Sequence, residues 1–238
     1  MQKPLISVII PALNEERYIG KVLDSLLRNG SNGMEIIVVD NGSKDRTREI
    51  VRKYKNVKLI VEMKKGTSRA RNKGAKFAKA DLLFFLDADT TISKGLFNIY
   101  IDAFKNDKHL AAATGPIEPL EKTSRKVEFS YFMVSRIFVP LLIAVRRPLI
   151  IGHNFCVRKK LFVKLGGFNE NYITYEDWDL STKLQRLGRL CYIKNALVYT
   201  SVRRTEKWGI IRYLFFTLGN MLRYGMFRKP KTDYEPIR

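Results

Sequence analysis

Short apolar runs alternate with segments of helical periodicity through the first half of the chain, and this alternation constrains the fold more than any other feature. The apolar runs occupy residues 5–10, 35–39, 57–61 and 82–86, and a predicted helix follows each of them. Strands and helices that alternate with short connections are typical of a parallel sheet covered by helices on both faces. We therefore predict an α/β fold with a mostly parallel, Rossmann-like sheet.

The second half of the chain is less regular. Residues 93–104 and 175–187 have helical patterns, and residues 150–157 are predicted to form a strand. Residues 125–145 are apolar with scattered arginines, which favours a pair of surface-seeking helices. Arg136 and Pro140 interrupt that segment, so we expect no membrane span of roughly 18 apolar residues.

Polar residues follow three of the predicted strands, at residues 11–15, 40–43 and 87–89. Ligands of open parallel sheets bind at the carboxyl ends of the strands, so these clusters are predicted to meet in one crevice. Asp87 and Asp89 would point the same way from an extended segment, and paired carboxylates favour a divalent cation, Mg²⁺ or Mn²⁺, bridging a phosphorylated ligand. The spacing alone equally fits two solvated carboxylates before a helix. The convergence of the clusters favours the metal.

The charge balance is strongly basic, because 44 Lys and Arg residues oppose 23 Asp and Glu residues, a formal net charge of +21. This excess indicates a phosphorylated substrate, an anionic membrane surface or nucleic acid as a partner. Cys156 and Cys191 are too few for a disulfide framework. Met1 leads directly into a strand pattern, so we expect no signal peptide and a cytoplasmic protein.

Six motifs stand in the order found in the inverting family 2 glycosyltransferases of the GT-A fold, which the chain resembles over roughly residues 5–200. They are SVIIPALNEE at 7–16, EIIVVDNGSKD at 35–45, ARNKG at 70–74, LDAD at 86–89, GGF at 166–168 and YEDWDL at 175–180. The resemblance implies a GT-A catalytic domain over residues 1–205. Residues 1–91 would bind the nucleotide and residues 92–205 the acceptor, with an amphipathic, basic helical tail at residues 206–238.

The resemblance also implies roles for individual residues, with a nucleotide-diphospho-sugar as co-substrate. Asp177 would be the catalytic base, with Glu176 turned away from the donor, and Asp89 and Asp87 would ligate a divalent metal, Mg²⁺ or Mn²⁺. The nucleotide sugar would contact Pro11, Leu13, Glu15, Asp40, Arg71, Asp87, Ala88 and Asp89. Candidates for the acceptor or diphosphate are His153, Asn154, Glu176, Arg203 and Arg204.

Each assignment has a structural alternative. Asp40 could only cap its turn, and Arg71 lies in a basic stretch that could be a solvated face. His153 is more often a packed imidazole than a catalyst, and the adjacent Arg203 and Arg204 could be surface residues. For Asp179 we favour a helix N-terminal charge. Asn14 is predicted to cap the first helix.

The resemblance implies transfer of a sugar from a UDP- or GDP-sugar to an acceptor, with inversion. A hydroxyl acceptor needs a base, whereas an ionised lipid phosphate does not, so the acidic 175–180 motif favours a hydroxyl, with a sugar on a lipid carrier or glycan as a candidate. A polyprenyl-phosphate acceptor is the alternative. A nucleotidyltransferase fits less well, because residues 11–16 lack a glycine-rich basic loop. A nucleic-acid binder has only the net charge in its favour.

The C-terminal segment 207–228 interleaves aromatic residues with arginines. Such an amphipathic pattern suits an anionic lipid interface, which predicts peripheral attachment to the inner face of the cell membrane. Packing of the same helix on the catalytic domain or on another subunit is the alternative. The sequence does not determine the oligomeric state.

Overall fold

A computed structural model describes residues 3–30, 33–147, 149–209 and 212. Its strands are β1 (Ile6–Ala12), β2 (Met34–Asp40), β3 (Val57–Val61), β4 (Leu82–Phe85), β5 (Thr90–Ile92), β6 (Leu110–Thr114), β7 (Ile117–Pro119), β8 (Phe155–Arg158), β9 (Arg189–Tyr192) and β10 (Val198–Thr200). Its helices are α1 (Ile19–Asn29), α2 (Thr47–Arg52), α3 (Thr67–Phe77), α4 (Leu96–Asn106), α5 (Arg125–Phe132), α6 (Val139–Ala144), α7 (Lys159–Lys164), α8 (Glu176–Leu184) and α9 (Arg203–Trp208). A π-helical turn, Met133–Phe138, joins α5 to α6. The predicted tail lies mostly outside the described residues.

Seven strands form the main sheet in the order β3-β2-β1-β4-β8-β6-β9. Strands β1 to β4 pair in parallel, as does β6 with β9, while β8 runs antiparallel to both of its neighbours. The predicted mostly parallel α/β sheet is therefore confirmed. A second, small sheet has the order β5-β10-β7.

Strand β1 shows why helices cover both faces of the sheet. Its successive side chains point to opposite faces, so Val8 and Ile10 join one buried cluster while Ile9 joins the other. Helix α3 packs close on the second face, because a Cβ atom added at Gly74 would lie 2.5 Å from the Cγ2 of Ile9. The two cores hold the strand ends, and so the polar clusters that follow them, in fixed positions.

The loop after β1 differs from the prediction. Helix α1 begins at Ile19, and Tyr18 rather than Asn14 precedes it. Asn14 has a positive φ of 57°, accepts a hydrogen bond from the Lys44 amide at 2.9 Å, and donates its own amide to Ser43 Oγ at 2.9 Å. Asn14 therefore ties the loops after β1 and β2 together, a pairing across about thirty residues that helix-capping rules do not address.

Residues 125–144 form one continuous helix of 20 residues rather than the predicted pair. The π-helical turn carries the chain past Arg136 and Pro140 without a break. By length and composition alone, this helix is one that could cross a membrane, although such a finding is weak evidence. The predicted interruption at Arg136 and Pro140 therefore does not break the helix, and the absence of a membrane span stays a prediction. Only 17% of its most apolar stretch is buried in the domain.

Candidate functional site

The loops that follow β4 and β10 border a pocket at the carboxyl edge of the sheet. Its acidic and basic lining residues are Asp87, Asp89, His153, Arg203 and Arg204. Its other walls are Ile117, Ser130, Tyr131, Val134, Thr200, Ser201 and Thr205. The structure thus brings the predicted carboxylate pair together with three of the five predicted acceptor or diphosphate residues.

Asp87 and Asp89 lie in a turn rather than on an extended segment. Strand β4 ends at Phe85, and the amide of Thr90 donates to the carbonyl of Asp87 at 3.1 Å. The two side chains consequently have different partners: Asp87 binds Arg71 at 2.8 Å, and Asp89 binds Arg203 at 2.9 Å. A turn therefore replaces the extended geometry predicted for the pair, and both carboxylates line the same pocket. Two arginines neutralise the pair.

Arg71 is the buried centre of the site. Its side chain is only 4% exposed and packs 5.3 Å from the centre of the Phe168 ring. One guanidinium nitrogen binds Asp87 at 2.8 Å and another binds Glu176 at 2.9 Å. Arg71 therefore joins the end of β4 to the start of α8, and it does not belong to a solvated basic face. Burial opposes the ionisation of Asp87, but Arg71 and His153 outweigh it and lower the pKa of Asp87.

Helix α8 begins abruptly at Glu176, because Tyr175 before it has a left-handed φ of 64°. The Glu176 carboxylate binds Arg71 and is not among the residues that line the pocket, so its orientation away from the donor stays a prediction. Asp177 is half-buried at the next position, where its carboxylate accepts hydrogen bonds from the backbone amides of Trp178 and Gly152. Neighbouring helical residues diverge by about 100°, yet both carboxylates lie near Arg71. Glu176 binds its guanidinium, and Gly152, whose amide binds Asp177, lies against it.

Asp177 has the electrostatic properties of a proton acceptor near neutral pH. Burial and the adjacent Glu176 carboxylate raise the pKa of Asp177 to about 7, although Arg71 opposes them. A Cβ atom added at Gly152 would lie 3.3 Å both from an Asp177 carboxylate oxygen and from an Arg71 nitrogen. Asp179, by contrast, forms an ion pair with Lys183 one turn along the helix at 2.6 Å. That contact fits the predicted structural role of Asp179.

Arg203 is a second connection across the site. Its guanidinium binds both carboxylate oxygens of Glu15, at 2.8 and 2.6 Å, and also Asp89 at 2.9 Å. It also stacks 5.0 Å from the centre of the Tyr18 ring. Arg203 therefore joins the loop after β1 to the loop after β4, and Glu15 faces Arg203. Burial raises the pKa of Asp89 to about 7 despite this cation.

Asp40 is fully buried at the end of β2. Its Oδ2 accepts hydrogen bonds from the amides of Gly42 at 3.1 Å and Ser43 at 3.2 Å, and lies 3.2 Å from Arg48 Nε. Among the described residues its Oδ1 has no hydrogen-bond partner. Asp40 thus caps its turn with one oxygen and has a second oxygen left to accept a hydrogen bond.

His153 and Asn154 are adjacent in sequence but have different environments. His153 lines the pocket with its Nδ1 3.8 Å from Asp87, and burial lowers its pKa. Its buried Nε2 has no hydrogen-bond partner in the described part of the chain. Asn154 is fully buried, where it accepts from the Tyr100 hydroxyl at 2.7 Å and donates to the carbonyls of Pro116 and Ala196. The structure therefore places the Asn154 side chain in the core, and not in a position to contact a sugar acceptor.

The remaining predicted residues differ in their exposure. Pro11 and Leu13 are half-buried at the end of β1, Ala88 is buried between the two aspartates, and Arg204 is exposed at the pocket. The sequence analysis missed Tyr131, Thr200 and Ser201 as pocket-lining residues. No local pattern marks them, because they reach the pocket from a distant helix and from the small sheet.

The carboxylates at the pocket fit a metal that is shared with a phosphorylated ligand. Among the described residues, no three His, Cys, Asp or Glu side chains lie together as a metal site of their own. Mg²⁺ or Mn²⁺ bound through substrate phosphates needs only one or two carboxylates. Asp87 and Asp89 both line the pocket and fit this requirement, and each is paired with an arginine, Arg71 and Arg203 respectively.

The chain is similar to known glycosyltransferases in sequence and in fold. The chain matches the family model described as glycosyl transferase family 2 over residues 7–166. A curated relative, the probable glycosyltransferase YdaM of Bacillus subtilis (strain 168), is 29% identical over 78% of this chain and 47% of its own length. The chain spans 28–47% of the length of four curated relatives that it matches.

Two solved structures have the same fold. The mannosyltransferase PcManGT from Pyrobaculum calidifontis, in complex with GDP-Man and Mn²⁺, has a TM-score of 0.72 at 19% identity, over 98% of this chain and 67% of that one. The 1-349 portion of S. aureus TarS in complex with UDP-GlcNAc has a TM-score of 0.65 at 24% identity, over 84% of this chain and 59% of that one. The α/β sheet is thus of the GT-A type. The chain belongs to glycosyl transferase family 2.

Proposed function

We propose that this chain is an inverting glycosyltransferase that moves a sugar from a nucleotide-diphosphate donor to an acceptor hydroxyl. One observation carries the proposal: Arg71 connects Asp87, at the strand end where a donor would lie, to the start of the helix that bears Asp177. A carboxylate pocket for a donor and a base for an acceptor therefore belong to one rigid network. Inverting transfer needs both groups in one fixed arrangement, so that attack occurs in line with the leaving group.

Asp177 is the proposed general base. A general base works best when its pKa lies near the working pH, and burial raises the pKa of Asp177 to about 7. The amides of Trp178 and Gly152 hold the carboxylate in place. Asp177 would take the proton of the acceptor hydroxyl as its oxygen attacks the anomeric carbon. The diphosphate leaves from the opposite side of the sugar, and no covalent intermediate forms.

The donor would bind along the ends of β1, β2 and β4. The unpartnered Oδ1 of Asp40 suits an N–H group of a uracil or guanine base. Arg203 and Arg204 supply positive charge beside Asp89, where the diphosphate would lie. Asp89 would also hold a divalent metal ion, which supplies Lewis-acid stabilisation of the departing diphosphate. The UDP-GlcNAc complex of TarS and the GDP-Man complex of PcManGT support both types of donor as candidates.

A lipid phosphate as acceptor is the main alternative. An ionised phosphate is already a nucleophile and needs no base. The raised pKa of Asp177 and its backbone hydrogen bonds favour the hydroxyl, because a site for an anionic acceptor would not require a buried carboxylate close by. Loss of transfer in an Asp177→Asn variant distinguishes the two acceptors.

The test begins with donor binding. UDP- and GDP-sugars, with Mn²⁺, Mg²⁺ or EDTA, are compared by thermal stabilisation, which follows the logarithm of ligand concentration over Kd. We expect one nucleotide series to stabilise the wild type in a metal-dependent way, and Asp89→Ala to remove the metal dependence. Asp102→Ala, an exposed carboxylate on α4, is the matched control. Turnover of Asp89→Ala in EDTA equal to that of the wild type with Mn²⁺ or Mg²⁺ would contradict the metal assignment.

A further inference from the structure

The long helix 125–144 has an apolar row that faces away from the domain. Exposed side chains recur every four residues along it, at Phe129 (64% exposed), Ile137 (43%) and Leu141 (54%), and Val145 (56%) continues the row just beyond the helix. Met133 occupies the remaining position and is half-buried. Phe132 and Phe138 beside the row are 47% and 51% exposed. We call these residues the outer row; contiguous exposed apolar surface of this kind marks an interaction site.

The π-helical turn keeps this row straight. In an α-helix a spacing of four residues overshoots a full turn by about 40°, so a row of five positions would drift by about 160° around the axis. The wider turn at Met133–Phe138 accommodates an additional residue and reduces that drift. The opposite row, Val127, Tyr131, Ser135, Val139 and Ile143, follows the same spacing and contacts the domain.

The opposite row, which we call the inner row, attaches the helix to the domain along its length. The Ser135 hydroxyl donates to the carbonyl of Ile117 at 3.1 Å, and Arg136 binds Glu118 at 2.6 Å. Val139 is fully buried in the core cluster. A helix anchored along its whole inner face would have to leave the small sheet in order to cross a bilayer. Its geometry is that of a helix lying in the plane of an interface.

The charges around the outer row indicate which kind of partner it would bind. Arg125 and Lys126 are exposed at one end of the helix, and Arg146 and Arg147 are exposed just beyond the other. Glu128 is the sole acidic residue in the sequence between Arg125 and Arg147. A second copy of this chain, with its net charge of +21, would bring like charges together, whereas anionic lipid headgroups complement both basic ends.

We propose that the outer row docks peripherally on an anionic lipid bilayer, with its aromatic and aliphatic side chains in the interface and its basic ends on lipid headgroups. Ser130, Tyr131 and Val134 of the same helix line the pocket that contains Asp87 and Asp89. Docking therefore brings the pocket beside the bilayer, where a lipid-linked acceptor would present its sugar; only this last step rests on the proposed function.

The test uses the full chain and vesicles of phosphatidylcholine with or without phosphatidylglycerol. Ile137→Asp/Leu141→Asp changes the outer row, and Leu27→Asp/Val163→Asp changes two exposed apolar residues on other helices, 51% and 60% exposed. We expect the outer-row variant to lower binding to anionic vesicles by about tenfold or more and the control to bind as the wild type does. Wild-type binding should weaken as salt rises from about 0.1 M to 0.5 M.

Further measurements keep the outcome interpretable. Ile137→Ser/Leu141→Ser is a milder variant for use if the aspartates disturb folding, and thermal unfolding checks both. All variants retain residues 210–238, so any contribution of that segment is the same in each. Equal vesicle binding by the outer-row variants and the wild type would overturn the proposal. So would a wild type that dimerises through this row and ignores lipid, as measured by light scattering. Donor binding in solution should not change, which separates this proposal from the proposed function.

Discussion

The half of the molecule that precedes β5 and the half that follows it position their functional side chains in different ways. In the first half, functional side chains lie at the ends of parallel strands or just beyond them. The positions of Asp40 and Asp87 can therefore be predicted from the order of the strands in the chain. In the second half, Asp177 lies in the first turn of α8, which begins after the left-handed Tyr175, and Arg203 starts a short helix after the small sheet. The first arrangement depends on local pattern and the second on long-range contacts.

The difference shows where the catalytic geometry is determined. Arg71 binds carboxylates from both halves, Asp87 and Glu176, whereas Arg203 of the second half binds Glu15 and Asp89 of the first. Substitutions that leave these arginines paired should therefore affect one step of the reaction. Substitutions in the buried hydrogen-bond network of the core should instead lower the stability of the fold. The following predictions test this separation, in order of decreasing effect.

Asp177→Asn should have the largest effect, and within the reaction that effect should fall on transfer rather than on donor binding. The amide keeps the size of the side chain but takes no proton, so transfer should fall by about 10²–10⁴-fold while donor affinity is retained. The wild-type rate should rise with pH and level off above about 7, because the base must be deprotonated. Turnover and donor Kd across this pH range check both expectations. Transfer near the wild-type rate would place the base elsewhere or indicate a phosphate acceptor.

Asn154→Ala should affect stability instead. The substitution removes the acceptor of the Tyr100 hydroxyl and the donor to two carbonyls, all in a fully buried site. Leaving these groups unpaired should lower the free energy of unfolding by about 2–4 kcal/mol, measured by urea denaturation. Asn98→Ala, at an exposed position on α4, is the matched control and should change stability by under about 1 kcal/mol. A stable Asn154→Ala protein that loses only transfer would return Asn154 to the acceptor site.

The two aspartates with raised pKa values should each destabilise the folded protein at alkaline pH. A carboxyl whose pKa is raised on folding favours the fold while it is protonated, and that contribution is lost as pH rises towards about 7. Asp89→Asn and Asp177→Asn should therefore be about 1–2 kcal/mol more stable than the wild type at pH 8, with the gain much reduced at pH 4. Urea denaturation at both pH values measures this. A gain of equal size at both would show that ionisation is not its cause.

Asp179→Asn should have the smallest effect. It breaks an ion pair with the half-exposed Lys183 at one helical turn, and such a pair typically contributes about 0.3–0.5 kcal/mol. Transfer should remain within a few-fold of the wild type, since Asp179 faces Lys183 rather than Asp177. A loss of transfer comparable to that of Asp177→Asn would show that Asp179 supports the base.

The amino-acid sequence is enough to predict the sheet, its mostly parallel direction and the position of the first-half carboxylates. Apolar runs long enough for buried strands, alternating with helical periodicity, leave few other architectures, and strand ends then follow from chain order. Asp40, Asp87 and Asp89 could be named because each ends its strand or lies in the turn beyond it.

What these residues touch depends on the folded chain. The turn after β4 gives Asp87 and Asp89 different arginine partners, and Asn154 is buried in the core. Arg71 joins Asp87 to Glu176, which lies 105 residues beyond Arg71 in the chain. The sequence does not encode such contacts locally, because they depend on the approach of elements that are distant in the chain. The same reason explains the long helix 125–144: Arg136 interrupts its apolar sequence, yet an ion pair with Glu118 and a π-helical turn make the helix continuous.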